Sequence, residues 1–164
     1  MERKSFQDMT CPVALTLERV GEWWSILILR DATHGITRFD EFQKSLGIAP
    51  NSLTRRLGAL VEAGLLERRR YNDRPPRYEY VLTEAGRAFQ PVLTALYAYG
   101  IEHFPPEAPN VRLVDRESGV DVEPLLIDRL TGRPIDEEHT MFLPGPSADE
   151  RLRALLERRN AQTA

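Results

Sequence analysis

The 164-residue chain has one cysteine and three histidines. A single cysteine excludes an intramolecular disulfide and any multi-cysteine metal site. His34, His103 and His139 stand without ligand partners at metal-binding spacing, so neither a metal nor a cofactor is expected. No apolar run is long enough to span a bilayer, and the first residues, MERKSFQDMTCP, lack a secretory apolar stretch. A cytoplasmic protein with no membrane partner is expected. The chain also lacks a Gly-rich phosphate loop, a nucleophile elbow and a carboxylate pair with a chemical rationale, which argues against an enzyme.

Net positive charge is missing too. The formal charge is −3, an odd value for a nucleic-acid binder, but its distribution is uneven. Residues 1–100 carry 14 Lys+Arg against 12 Asp+Glu, and residues 101–164 carry 8 against 13. Between residues 38 and 78 there are 9 basic and 5 acidic side chains. A local basic patch on an acidic chain can bind DNA, because the field at the phosphates matters more than the total; such a patch can also be plain solvated surface.

The stretch from Thr37 to Gly64 organises the rest. Phe39, Phe42 and Leu46 recur on one helical face, and Gly47 follows at a C-cap position. Pro50 suits the first turn of a second helix, whose stripe is Leu53, Leu57, Leu60 and Val61. Asn51, Ser52, Thr54 and Arg55 fall off that stripe near its N-terminal end, where a helix-turn-helix reader presents side chains to base edges. Arg56 either joins them or pairs at the surface. A small helical hairpin with a solvated face fits the same spacing.

Next, Leu65–Arg70 and Arg77–Leu82 read as strands of a hairpin around Tyr71-Asn72-Asp73-Arg74-Pro75-Pro76, with Tyr78, Tyr80 and Leu82 on one face. Arg68, Arg69, Arg70, Arg74 and Arg77 lie within ten residues. Helix, helix and basic hairpin make a winged helix-turn-helix. Arg68, Arg70, Arg74 and Arg77 would meet phosphates or the minor groove.

On the N-terminal side, Thr10 is a plausible cap for a short helix running to Val20, with Pro12 in its first turn. Cys11 would then sit at a helix N-terminus, where the dipole favours the thiolate. Two readings stand: a redox sensor, or a small hydrophobe in a dimer core. The segment from Gly21 to Arg30 is apolar nearly all round and reads as a central beam, with Trp23 and Trp24 in the core. Alternatively, Trp23 and Trp24 with Tyr97 and Tyr99 would line a pocket for a small aromatic or electrophilic effector. Beyond the wing, Thr83 caps a long helix to about Phe104, with Pro91 inside its pattern. That helix has little to pack on within so small a domain, which points to a homodimer. A twofold dimer also sets two reading helices about one DNA turn, ~34 Å, apart.

Pro105-Pro106-Glu107-Ala108-Pro109 marks a boundary between residues 1–104 and a C-terminal extension, 105–164. In the extension, Val111–Val114 and Val120–Ile127 read as two short strands around Ser118-Gly119. Ser147 with Glu150 reads as a capping box opening a short helix. The fold class is mainly α with a small β-hairpin (α+β): a winged helix-turn-helix domain plus a small hairpin-and-helix extension.

From Cys11 to about Tyr99 the chain resembles the HxlR family of bacterial winged-helix regulators, relatives of the MarR group. The matching pieces run in order: Cys11-Pro12, Gly21-x-Trp23, Ile26-Leu27-Ile28-Leu29-Arg30, Arg38-Phe39-x-Glu41-Phe42 and Leu53-Thr54-x-Arg56-Leu57-x-x-Leu60. They continue through Gly64-Leu65-Leu66-x-Arg68 and Tyr78-x-Tyr80-x-Leu82-Thr83-x-x-Gly86. The resemblance implies a homodimeric transcriptional regulator on a near-palindromic operator in double-stranded DNA. Some members sense oxidants, quinones or aldehydes through a cysteine at the position of Cys11. The extension resembles a zinc-ribbon-like hairpin carried by some of these regulators, but Ser118, Asp128 and Thr131 stand where that pattern has cysteines. A metal-free ribbon used for packing or for shielding a ligand site is therefore expected. One zinc per chain after metal-free preparation would refute it. The competing expectation is a winged-helix protein-interaction or ligand-sensing module that does not bind DNA directly.

Overall fold

The computed structural model describes residues 5–163. It contains α1 (Pro12–Val20), α2 (Trp23–Thr33), α3 (Phe39–Leu46), α4 (Pro50–Glu62), β1 (Leu66–Asp73), β2 (Pro76–Leu82), α5 (Glu84–Arg87), α6 (Gln90–His103) and α7 (Glu150–Thr163). Two compact units result, Met1–Pro109 and Asn110–Ala164.

In the first unit, the helical stripes close one core. Phe42 from α3 and Leu53, Leu57 and Leu60 from α4 are fully buried with Ile28 and Leu29 of α2. Val20, Ile48, Leu66 and Phe89 complete the cluster. Helix α2 is the beam that its composition predicts, touching α1, α3, α4, α6 and β2. The turn between α3 and α4 works through Gly47, which sits at φ 62°, a region costly for any residue with a Cβ. Pro50 then fills a first-turn position of α4, where its missing N–H costs nothing.

Strands β1 and β2 pair antiparallel, Leu66 opposite Leu82 and Arg70 opposite Tyr78, with a bulge between Arg70 and Asn72 that leaves Tyr71 outside the ladder. Tyr80 and Leu82 lie against the core, as the alternation requires. Arg38 bridges Glu79 along the outer edge of β2, and the Tyr80 N–H donates to the Thr37 carbonyl at 2.8 Å. The segment entering α3 is thereby tied to the root of the hairpin.

Some expectations are corrected. Cys11, not Thr10, is the N-cap of α1, and its side chain makes no capping hydrogen bond. Thr83 does cap: its hydroxyl accepts from the Gly86 N–H at 3.0 Å. The helix it opens ends at Arg87, however, and Pro91 lies in the first turn of a new helix, α6, rather than kinking a continuous one. Gly86 is buried so close to the Leu65 carbonyl oxygen that a Cβ there would collide with it. Trp24 packs against the core, but Trp23 is 76% exposed and leaves the predicted core.

In the second unit the two predicted strands are absent from the described residues. Two isolated bridges, Val114 with Asp121 and Ile127 with Pro134, stand in their place. Each bridge closes a tight turn of the same pattern, Asp115-x-x-Ser118-Gly119 and Asp128-x-x-Thr131-Gly132, with both glycines at positive φ. Asp115 Oδ1 accepts from the Ser118 N–H and hydroxyl, each at 2.8 Å. Asp128 Oδ2 accepts from the Thr131 hydroxyl at 2.6 Å. Asp136 repeats the theme, accepting from the His139 N–H at 2.8 Å. Helix α7 is capped by Asp149, whose Oδ1 accepts from the Leu152 N–H at 2.8 Å, and not through Ser147.

These turns give an acid-sensitivity prediction. Asp115 is held below the usual aspartate range chiefly by the Ser118 N–H, then by the Ser118 hydroxyl. Asp128 is lowered first by the Thr131 hydroxyl and then by the Leu130 N–H, and Asp136 by the His139 ring and then the His139 N–H. A depressed folded-state pKa stabilises the fold above the unfolded aspartate pKa of about 3.9, and that contribution is lost as pH falls through the folded value. The turns should stay closed at neutral pH and open only as pH falls below the ordinary aspartate range. Amide shifts of Gly119 and Gly132 followed by NMR should report this transition, and Asp115→Asn and Asp128→Asn should each abolish it at their own turn.

Candidate nucleic-acid interface

The N-terminal half of α4 presents the polar residues that its stripe leaves over. Asn51, Thr54 and Arg55 are exposed and Ser52 is half-buried. The Thr54 hydroxyl donates to the Pro50 carbonyl at 2.9 Å, so toward a ligand it offers lone pairs and a methyl group. Among the described residues Arg55 makes no ion pair.

Arg56 is different. Its Nη2 pairs with Glu22 Oε2 at 2.9 Å, and its side chain is only 15% exposed. The ion pair ties α4 to the start of α2, so Arg56 is withdrawn from the reading set as a structural residue.

The wing arginines also divide. Arg70 is tied to its own turn, with Nε 3.1 Å from Asp73 Oδ1 and Nη2 donating to the Asp73 carbonyl at 3.0 Å. Arg68 lies over the Tyr78 ring, 4.5 Å from its centroid. Arg69 pairs with Glu67 at 2.9 Å. Arg74 and Arg77 are exposed and, among the described residues, without ion-pair partners. A groove lined by Thr54, Gly58, Glu62, Arg68 and Tyr80 joins the exposed face of α4 to the hairpin.

Arg38 was not marked out by spacing. It is exposed, it lies 5.0 Å over the Tyr71 ring, and it shares a recess of about 330 Å³ with Arg77. Its place directly before a short amphipathic helix, in the matched segment Arg38-Phe39-x-Glu41-Phe42, is the sequence signal that could have raised it.

The remaining candidates lie elsewhere in the first unit. Cys11 is exposed. Trp23 and Tyr99 are exposed while Trp24 and Tyr97 are half-buried. The rings of Tyr99 and His103 are in contact at a tilt of 55°, with centroids 4.4 Å apart. In the second unit, each ribbon turn offers one carboxylate and one hydroxyl or imidazole, already bonded to each other. Among the described residues no group of three or more His, Cys, Asp or Glu could hold a metal, so these residues do not fit a structural zinc.

Two helices joined at Gly47, the second buried by its stripe and flanked by a basic hairpin, define a winged helix-turn-helix. The profile described as HxlR-like helix-turn-helix matches residues 19–108. The chain belongs to this family and is a transcriptional regulator of that type, not an enzyme. It is 40% identical over 141 residues to the uncharacterized HTH-type transcriptional regulator Rv3095 of Mycobacterium tuberculosis, spanning 85% of this chain and 89% of that one. It resembles the crystal structure of PA1607, described as a candidate transcription factor, with TM-score 0.76 and 41% identity over 87% of this chain and all of that one. The redox regulator HypR, solved in its reduced form, matches with TM-score 0.53 and 32% identity. That match spans 92% of HypR but 56% of this chain. No helix among the described residues is long and apolar enough to cross a membrane.

Proposed function

We propose that the protein acts in the cytoplasm as a homodimer that binds a near-palindromic operator. Helix α4 reads the major groove through Asn51, Ser52, Thr54 and Arg55. The wing contacts the backbone or minor groove through Arg68, Arg74 and Arg77. The observation that carries this reading is the placement of unpaired cations. On a chain of net charge −3, Arg55, Arg74 and Arg77 stand exposed, without carboxylate partners among the described residues, on the two elements a winged helix applies to DNA.

Dimerisation is supported by α6, an apolar helix with no buried residue in the single chain. Control would come from oxidation of the exposed Cys11 or from a small aromatic or electrophilic ligand near Trp23, Trp24, Tyr97 and Tyr99. Likeness to HypR, a redox regulator solved in reduced and oxidised forms, supports the first route.

The test is binding to a duplex carrying the protein's own upstream region, at two salt concentrations, with and without a mild thiol oxidant. We expect tight, salt-dependent binding. Weakening by the oxidant in the wild type but not in Cys11→Ser would establish redox control. Indifference to the oxidant would shift control to a ligand at the tryptophans. Binding no tighter than to random DNA would overturn the operator reading and favour a protein-interaction module.

A further inference from the structure

We propose that Arg38 and Arg77, braced by Tyr71, grip one phosphate of the DNA backbone between the groove read by α4 and the groove reached by the wing. The inference rests on the DNA-binding reading and adds a contact which the reading helix and wing tip do not supply. It starts from the backbone. Arg38 bridges Glu79 at the edge of β2 while its own N–H donates to Glu41 Oε2 at 3.2 Å in the first turn of α3. Its Cα is thus fixed to the hairpin and to the first helix of the helix-turn-helix at once. In helix-turn-helix docking that first helix crosses the phosphate backbone.

The side chain is braced as well. Tyr71, the bulge residue left outside the ladder, places its ring under the Arg38 guanidinium at 5.0 Å. A guanidinium held over an aromatic face keeps its in-plane N–H donors available for a phosphate, and less rotamer entropy is lost on binding. Arg77 lines the same recess, with Phe39, Asp40 and Tyr78. Asp40 is the one carboxylate on that lining, so the recess carries two cations to one anion. Asp40 also lies in the first turn of α3, where the helix dipole already favours it. Neither arginine has an ion-pair partner among the described residues, and an exposed, braced, unpaired pair of cations is what a backbone phosphate requires.

The test measures the full-length wild type, Arg38→Ala, Arg38→Lys, Tyr71→Phe and Tyr71→Leu on the upstream duplex and on a random duplex between 50 and 200 mM salt. Thermal unfolding confirms that each variant folds. Arg38→Ala should weaken both duplexes alike and flatten the salt slope by about one unit. Arg38→Lys should keep the slope and lose part of the affinity. Tyr71→Phe should match the wild type, and Tyr71→Leu should fall between wild type and Arg38→Ala. Should Arg38→Ala fail to fold, Arg38→Gln must show the same flattened slope. Where the wild type binds, an unchanged slope in Arg38→Ala, or a loss confined to the upstream duplex, would overturn the clamp. A wild type that fails to bind at all would overturn the DNA reading itself, before any variant is compared.

Discussion

Replacing Arg55 by alanine should cost about 1–3 kcal/mol on the cognate operator, and almost nothing on random DNA, if Arg55 forks a guanine. In affinity that is on the order of five- to 150-fold. The argument begins with the α4 stripe. Leu53, Leu57 and Leu60 are fully buried and fix the rotation of the helix about its axis. Arg55 is thereby turned outward, exposed and unpaired among the described residues. Two neighbours serve as controls of opposite kind. Arg74, at the wing tip, should weaken all duplexes alike when removed and reduce the salt slope, as a phosphate contact does. Arg56, tied to Glu22, should lower thermal stability and leave base preference unchanged, because its guanidinium does not face solvent. Binding titrations of Arg55→Ala on the two duplexes decide the matter. Equal losses on both would remove Arg55 from the readers of sequence and leave it a phosphate contact.

The three variants also show which parts of the site sequence could reveal. Arg55 and Arg56 are adjacent and chemically identical. Period alone turns Arg55 away from the apolar stripe and leaves Arg56 near its edge, but it does not say what Arg56 meets there. What separates them is Glu22, 34 residues earlier on another helix, and such a pairing follows only from how α2 packs on α4. The core was legible for the converse reason: Phe42, Leu53, Leu57 and Leu60 depend on a local 3.6-residue period that tertiary contacts merely consummate. Thr83 and Gly47 were legible because caps are local chemistry. Arg38 was not, because its partner Tyr71 enters the recess through a bulge, and a one-residue change of register is invisible in an alternation pattern. The extension misled for a related reason. Val111–Val114 and Val120–Ile127 have strand composition, but they flank turns closed by Asp115 and Asp128, and those side-chain bonds leave single bridges rather than ladders.

Trp23 bears on the proposed partner subunit. A monomer has no reason to hold Trp23 76% exposed, Val13 67% exposed and Leu96 49% exposed together in one unit. Helix α6 makes the case more strongly. Leu93 packs against the core, while Val92, Leu96, Tyr99 and Ile101 stay exposed. Helices of this composition are stable when both sides are covered, and full burial of one such side chain is worth about 1.5–3 kcal/mol. If α6 forms the proposed dimer interface, Leu96→Glu should give a folded monomer, seen by sedimentation equilibrium, with the single-chain core untouched because Leu96 is not part of it. The consequence for DNA should exceed that of any single contact. Two linked reading helices gain from one another's binding, an advantage that ranges over about 10²–10⁴-fold in bivalent systems. Losing it should lower operator affinity on the order of a hundredfold or more, while binding to an isolated half-site stays near the wild-type monomer level. A Leu96→Glu protein that remained dimeric and kept its operator affinity would move the interface off α6, and the apolar face of α1 at Val13 and Leu17 would become the next surface to charge.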